Sequence, residues 1–312
     1  MVQRLGVVNN LRNMVNVLRE VSFDDIRDDV LRPPTLVVVG PTEADARRLG
    51  EMLVGDARGV TARDFSAALN DPEEFEAVIV YEPDGHGQSV GFSDRLHGLG
   101  SAPPVLRLSG PSEHLEARIE SLRSDLIRRL PERAPAFGRA YPVMRAAASK
   151  AVIDETAMAN AQFALVSNIP AIIPVIGGLA AAGADFIVLT KNQVMMIYKL
   201  AAIHGRDLDQ HVAIIQEIVP VVGVGFAWRS IAREAASFVP FAAGTIPKVG
   251  IAFAGTLVMG RAAEFYYRTN RRPTKTQVEG YARQAQDLLG KIPRMIANRG
   301  SGDKSRGELP KE

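Results

Sequence analysis

The 312-residue chain contains no cysteine. That absence excludes disulfides, thiolate metal sites and a cysteine nucleophile, and it fits a reducing compartment. A surplus of positive charge is missing as well. A net charge of +2 gives no argument for a nucleic-acid partner. The first twenty residues, "MVQRLGVVNNLRNMVNVLRE", lack the uninterrupted apolar core and small-residue cleavage site that a secretory signal requires. No serine stands in a nucleophile elbow, and the five histidines (His86, His97, His114, His204 and His211) share no metal-ligand spacing. No catalytic residue and no metal site are expected.

What remains is the composition of a folded protein, with 46% hydrophobic and 23% charged residues. The mean hydropathy of +0.01 is slightly high for a soluble chain, and the cause is local. Residues 1–33 are expected to hold a short amphipathic helix and a linker. Leu5, Val8, Leu11, Val15 and Leu18 recur at spacings of three and four, the period of one helix face. Its polar face is rich in asparagine rather than lysine, which favours packing on the next domain over a membrane-surface role.

Residues 34–135 alternate strand-like apolar runs with helical patterns. Strands are expected at 36–39, 60–63, 77–81 and 105–108, and helices at 43–53 and 114–130. Continuous apolar strands between helices imply a small, parallel, Rossmann-like sheet covered on both faces. "LPERAPAFGRAYP", residues 130–142, marks a boundary. Beyond it no charge appears from residue 156 to residue 184, a run of 29. Strand alternation disappears, so 143–272 reads as a helical domain. A C-terminal amphipathic helix, 273–298, opens at "TKTQ", where Thr274 and Gln277 match a capping box. Residues 299–312 form a polar tail expected to be disordered.

"TLVVVGPTEADARRLGEML", residues 35–53, has the construction of a phosphate-binding turn: an apolar strand, a glycine, then a helix. A working loop needs G-x-x-x-x-G-K-[ST], whose second glycine, lysine and hydroxyl cradle the phosphates and hold magnesium. Gly40 takes the first position. Asp45, Ala46 and Arg47 stand where glycine, lysine and serine or threonine belong. Each lost charge-assisted contact is worth about 1.5–3 kcal/mol, so triphosphate binding should be forfeited. The other landmarks are equally poor. "YEPDGHG" holds a literal D-x-x-G in Asp84 and Gly87, which a Pro-Asp-Gly turn explains as well. Where a guanine reader should follow the fourth strand there is Ser109-Gly110-Pro111-Ser112. A receiver domain would need an aspartate ending the third strand, where Glu82 stands instead.

The apolar half admits two readings. Residues 162–184 exceed the roughly 20 needed to cross a bilayer, and Pro170, Pro174, Gly177, Gly178 and Gly183 are better tolerated in membrane bundles than in soluble helices. A second crossing at 238–260 would have Phe265, Tyr266, Tyr267, Arg268, Arg271 and Arg272 at its exit, but would carry Lys248 inside. The other reading is a soluble bundle rich in glycine and alanine. The flanking residues favour the membrane.

Residues 145–270 resemble domain of unknown function 697, a bacterial helical domain that includes the YcjF-type membrane proteins and often follows Era-like GTPase domains. The resemblance rests on Asn160-Ala161, Gly183-Ala184-Asp185, Leu189 with Gln193, Met196, Gly205 and the segment from Gly260 to Tyr267. It implies that the turn at Gly40 is a remnant of a phosphate loop. The departures at Asp45, Ala46 and Arg47 keep GTP binding from being carried over. The expected fold class is therefore α/β plus all-α, a degenerate GTPase-like domain followed by an apolar helical one. The expected function is a non-catalytic scaffold at the cytoplasmic face of the bacterial inner membrane. It would need no cofactor, and its partners would be the lipid bilayer and a protein, with a homo-oligomer compatible. The alternatives are a divergent GTP- or ATP-binding protein with weak hydrolase activity, using Arg47, Asp84 and the loop 85–100, and a soluble helical interaction protein.

Overall fold

The computed structural model describes residues 23–55, 59–66, 75–85, 103–110, 115–166, 178–222 and 245–289. The expected N-terminal helix over Leu5 to Leu18 and the tail 299–312 lie outside them. The described chain divides into two compact units. One is residues 24–152 with 202–206, and the other is residue 23 with 153–201 and 207–289.

The first unit is α/β. After helix α1 (Phe23–Leu31), whose first turn carries Asp24 and Asp25, strands β1 (Leu36–Gly40), β2 (Val60–Asp64), β3 (Ala77–Glu82) and β4 (Val105–Ser109) form one sheet in the order β2-β1-β3-β4. Every neighbouring pair is parallel. The two central strands are the apolar ones. All of β1 and most of β3 are buried, while edge strands β2 and β4 are half-exposed. Burial on both faces is what a continuous apolar run requires of a parallel strand. On one face Val37, Val39, Val78 and Val80 pack with Phe65, Phe75 and Val105. On the other lies helix α2 (Glu43–Val54), where Gly50 brings the helix backbone against Val60 and Val38.

Helix α3 (Leu115–Arg129) buries Ile119, Leu122 and Leu126 of the stripe expected at Leu115, Ile119, Leu122 and Leu126, together with Ile127, while Leu115 is half-buried. It also finishes α2. Arg123 Nε donates to the Leu53 carbonyl at 2.8 Å and Nη2 to that of Met52 at 2.7 Å, satisfying acceptors that a helix end leaves over. Residues 130–142 contain a 3-10 turn (Pro131–Arg133) and helix α4 (Ala134–Ala140), with Ala134, Ala136 and Phe137 buried.

Arg133, only 5% exposed, locks this segment down. Its Nε donates to both carboxylate oxygens of Glu76 at 3.0 and 3.1 Å, and Nη1 donates to Asp29 Oδ1 at 2.8 Å and to the Asp29 carbonyl. Nη2 donates to the Arg32 carbonyl at 2.8 Å. Burial alone would push this guanidinium down. The bonds and charge of Glu76, then of Asp29, outweigh it and hold the group above its ordinary range.

The second unit is helical. Helices α5 (Arg145–Val166) and α6 (Gly178–Ile203) begin or end in the first unit. Helices α7 (His211–Val222), α8 (Thr245–Thr269) and α9 (Lys275–Leu289) belong to the second. Helix α9 opens as its sequence predicts. The Thr274 N–H donates to Gln277 Oε1 at 2.8 Å and the Gln277 N–H donates to Thr274 Oγ1 at 3.3 Å, a reciprocal capping box.

Helices α5, α6 and α8 are tied by amides, that of Asn160 buried and those of Asn192 and Gln193 half-buried. Asn160 Nδ2 donates to Thr256 Oγ1 at 2.8 Å, and Asn192 Nδ2 donates to Asn160 Oδ1 at 2.8 Å. Gln193 Nε2 also donates to Thr256 Oγ1, at 3.2 Å, and the Thr256 hydroxyl donates to the Ala252 carbonyl at 2.8 Å. One turn along from Thr256, Gly260 lets α8 approach so closely that a Cβ there would lie 2.7 Å from Ile153 and 3.0 Å from Met196. These matched contacts make α5 antiparallel to α6 and α8.

Neither expected membrane crossing is seen as one helix. Within 162–184, α5 ends at Val166 and α6 starts at Gly178, with residues 167–177 outside the described chain. Within 238–260, residues 238–244 lie outside and α8 starts at Thr245. Among the described residues no helix is long and apolar enough to cross a membrane.

Candidate functional site

Open parallel sheets bind ligands beyond the carboxyl ends of their strands, where the strand order reverses. Here that point lies between β1 and β3. The register sets Asp64 opposite Gly40, and Glu82 opposite Ser109, so the crest runs Asp64, Gly40, Glu82, Ser109 across the sheet. Each strand end is closed by its own neighbourhood. Asp64 Oδ1 accepts from the Ser66 N–H at 2.8 Å and its hydroxyl at 2.6 Å. The Gly110 N–H donates to the Glu82 carbonyl at 2.9 Å, and Arg118 donates to the carbonyls of Ser109 and Gly110. Glu82 itself is 7% exposed.

The turn after β1 is short. Only Pro41 and Thr42 separate the strand from α2. Thr42, in extended conformation, is the N-cap. The Asp45 N–H donates to its Oγ1 at 3.1 Å, and its hydroxyl donates to Asp45 Oδ2 at 2.7 Å. The Ala46 N–H donates to the Thr42 carbonyl at 3.1 Å. Gly40 lets the helix start close to the strand end, since a Cβ there would sit 3.2 Å from the Ala46 nitrogen, tighter than an ordinary contact. Asp45, Ala46 and Arg47 are therefore the third, fourth and fifth residues of a helix rather than the end of an open loop. Ala46 is fully buried. Arg47, with its side chain 61% exposed, pairs with Glu43 at 2.6 Å.

The D-x-x-G pattern resolves only in part. Residues 82–85 close a turn in which the Gly85 N–H donates to the Glu82 carbonyl at 3.4 Å, with Gly85 at φ 64°. Asp84 sits inside that turn, the structure a Pro-Asp-Gly sequence favours. Gly87, the loop 86–100 and Pro111-Ser112 lie outside the described residues. An open hollow of about 410 Å³ follows the outer face of α2, lined by Glu43, Ala44, Arg47, Arg48 and Glu51. Its two guanidinium groups and two carboxylates cancel, so it selects neither anion nor cation.

Of the histidines, His211 stacks on Phe23 with centroids 4.8 Å apart, and His204 Nε2 lies 3.5 Å from Ser149 Oγ. His86, His97 and His114 are not described. Among the described residues no three His, Asp or Glu side chains group as metal ligands.

Two features escaped the sequence reading. The Thr42–Asp45 cap was legible as a T-x-x-D pattern, but reading Asp45 as a substituted glycine hid it. Asn192 and Thr256 carried no signal, since a buried amide network depends on which helices meet.

No family model, curated protein or solved structure matches the chain.

Proposed function

We propose that the chain is a non-catalytic scaffold or adaptor at the bacterial inner membrane, with a pseudo-GTPase-type α/β unit that faces the cytoplasm and binds a protein partner. One observation carries this reading, the closure of the β1–α2 turn. Phosphate binding at such a turn needs backbone N–H groups aimed at the ligand and a cation beside them. Here the Asp45 and Ala46 N–H groups are bonded to Thr42, a carboxylate occupies the first helical turn, and the nearest arginine is paired with Glu43. The parallel order β2-β1-β3-β4 fits a GTPase-like ancestor that lost its ligand.

Two further points support the membrane half of the reading. Residues 145–270 resemble domain of unknown function 697, and the 29 residues from 156 to 184 carry no charge. The reading assigns no catalytic residue and calls for no cofactor. Titration calorimetry of the full chain with GTP and with ATP, each with magnesium, tests the first half. No heat of binding is expected, and micromolar affinity for either nucleotide overturns it. Detergent-free fractionation tests the second half, with the chain expected in the membrane pellet. A wholly soluble monomer overturns it.

A further inference from the structure

We infer that the turn joining α8 to α9 is a contact site for anionic lipid headgroups, centred on Arg271 and Arg272. The inference rests on the membrane association proposed above and names the lipid charge and the residues that set it.

Charge is unevenly spread along the chain. Between residues 261 and 283 lie six lysines or arginines and two carboxylates. That excess is larger than the net +2 of the whole protein, so the remainder is net negative. A local surplus on an otherwise acidic chain draws anions to one place. Other cations are neutralised at short range: Arg27, Arg32, Arg47, Arg123 and Arg128 each reach a carboxylate within four residues in the sequence. Arg271 and Arg272 are both exposed, and among the described residues neither bonds a carboxylate. Lys275 reaches Glu279 only at 3.8 Å, with its side chain 77% exposed, and such a surface pair neutralises little.

The backbone holds these cations together. Helix α8 stops at Thr269, and Asn270 follows at φ 55°, the left-handed position in which helices commonly end. The Arg271 N–H donates to Thr269 Oγ1 at 3.2 Å, and the Thr269 hydroxyl donates to the Phe265 carbonyl at 2.7 Å. The Thr274 capping box then starts α9. Helix stability accounts for Arg268, which lies in the last turn of α8 where a positive charge suits the macrodipole. It does not account for Lys275, which opens a helix whose first turn holds no acidic residue.

The polyanions that answer such a turn are membranes and nucleic acids. A nucleic-acid site adds aromatic faces on which bases stack. Here the rings are engaged within the fold. Tyr266 meets Tyr267 edge to face at 5.7 Å and donates its hydroxyl to Glu217 at 2.7 Å, while the Arg268 guanidinium lies 5.9 Å from the Phe265 centroid. A lipid surface needs only the exposed charge, and each cation close to an anionic bilayer raises affinity about five-fold.

The test is flotation of the full-length chain with vesicles of phosphatidylethanolamine and phosphatidylglycerol, against vesicles in which phosphatidylcholine replaces the anionic lipid. The double variant Arg271→Gln, Arg272→Gln removes two charges from the turn. Arg271→Lys, Arg272→Lys keeps them, and Arg128→Gln, Arg129→Gln removes two exposed charges from α3 instead. All are exposed positions, and each variant is first checked for the parent's thermal melt. The parent is expected to prefer the anionic vesicles, and the turn's glutamine variant to bind them about 30-fold more weakly. The lysine and α3 variants should bind as the parent does. Equal flotation of the parent with both vesicle types, no loss in the turn's glutamine variant, or a loss shared by the lysine or α3 variant overturns the inference and leaves membrane association standing. Absence of flotation with either vesicle overturns both. Tighter binding of the parent to a single-stranded RNA oligonucleotide than to vesicles, lost in the turn's glutamine variant, assigns the turn to nucleic acid and overturns the inference.

Discussion

Thr42 and Asp45 close a ring over the first turn of α2: the Asp45 N–H donates to the Thr42 oxygen at 3.1 Å and the Thr42 hydroxyl donates to the Asp45 carboxylate at 2.7 Å. The difference from a phosphate loop is therefore one of backbone as well as of side chains. Writing the motif's letters into the chain should not create nucleotide binding. The triple variant Asp45→Gly, Ala46→Lys, Arg47→Ser recreates G-x-x-x-x-G-K-S from Gly40, yet position 46 points into the core. The variant is expected to lose at least about 1–3 kcal/mol of stability through overpacking and to show no calorimetric binding of GTP with magnesium. Micromolar affinity in the triple variant would mean that the turn can still open.

Arg133 binds four groups on three residues in two segments, and no other side chain can replace that geometry. Arg133→Ala leaves the Glu76 carboxylate, 20% exposed, without its partner and releases the carbonyls of Asp29 and Arg32. Breaking a buried pair from one side costs about 3–5 kcal/mol. Arg133→Lys should recover little of it, because an ammonium cannot make the fork to Glu76 and reach two carbonyls together. Denaturant unfolding followed by circular dichroism measures both. A loss below about 1 kcal/mol for the alanine variant contradicts the clamp.

The sheet was legible because local pattern decides it. Val37, Val38 and Val39 are apolar in succession, and only a central parallel strand buries both faces, so the strand, its neighbours and the helix at 43 follow from period and spacing alone. The capping box at Thr274 is equally local. The candidate site was half legible. The absence of a lysine and a hydroxyl at Ala46 and Arg47 is visible in the letters, but the two-residue turn that buries Ala46 is not, since the motif's spacing presumes an open loop. Least legible was the helical unit. In helices α5 and α8 apolar and charged residues are mixed around the axis, which removes the one-faced stripe that normally says which side packs. Asn160 and Gln193 stood out in the family resemblance, yet only the folded chain shows that both bond Thr256.

Thr256 is the hub of that network, accepting from Asn160 and Gln193 while donating to Ala252. Thr256→Val keeps the shape and removes the oxygen, leaving buried amide hydrogens unmatched. The expected loss is about 1–3 kcal/mol. Adding Asn160→Leu should cost less than the sum of the two single changes, because the donor stranded by the first is removed by the second. Additive losses in this double-mutant cycle would show that the two side chains do not act together.

Tyr281 gives the helical unit an alkaline limit. Burial raises its hydroxyl above the ordinary 10.0, Glu264 raises it further, and Arg268 and Arg261 pull it partly back. A raised folded value means that the neutral phenol is favoured in the fold. The resulting stability is complete below the unfolded value near 10 and fades as pH climbs through the folded one. Tyr281→Phe, which cannot ionise, should therefore flatten the loss of stability above pH 10 while changing little at pH 7. The difference in ultraviolet titration between the parent and Tyr281→Phe should place the Tyr281 phenol above the ordinary 10.0, and a difference curve with its midpoint below that value would contradict the assignment.

Two glycines in neighbouring helices should respond to alanine with opposite signs. Both gain the intrinsic advantage of alanine over glycine in a helix, about 0.8–1.0 kcal/mol. At Gly280 in α9 a new Cβ meets nothing within 4 Å, so Gly280→Ala should stabilise by up to that amount. At Gly260 the new Cβ would lie 2.7 and 2.9 Å from the two γ carbons of Ile153 and 3.0 Å from Met196 Sδ. Both γ carbons sit on a β-branched side chain with one strongly preferred helical rotamer, so the neighbour cannot swing aside and the helices must part. Overpacking of this kind costs about 1–3 kcal/mol, which outweighs the propensity gain. Gly260→Ala should thus be net destabilising in thermal melts. Pairing it with Ile153→Ala should cost less than the two losses added, because the same contact cannot be strained when its partner is gone. Equal stabilisation at residues 260 and 280 would mean that α5, α6 and α8 do not pack as closely as their contacts indicate.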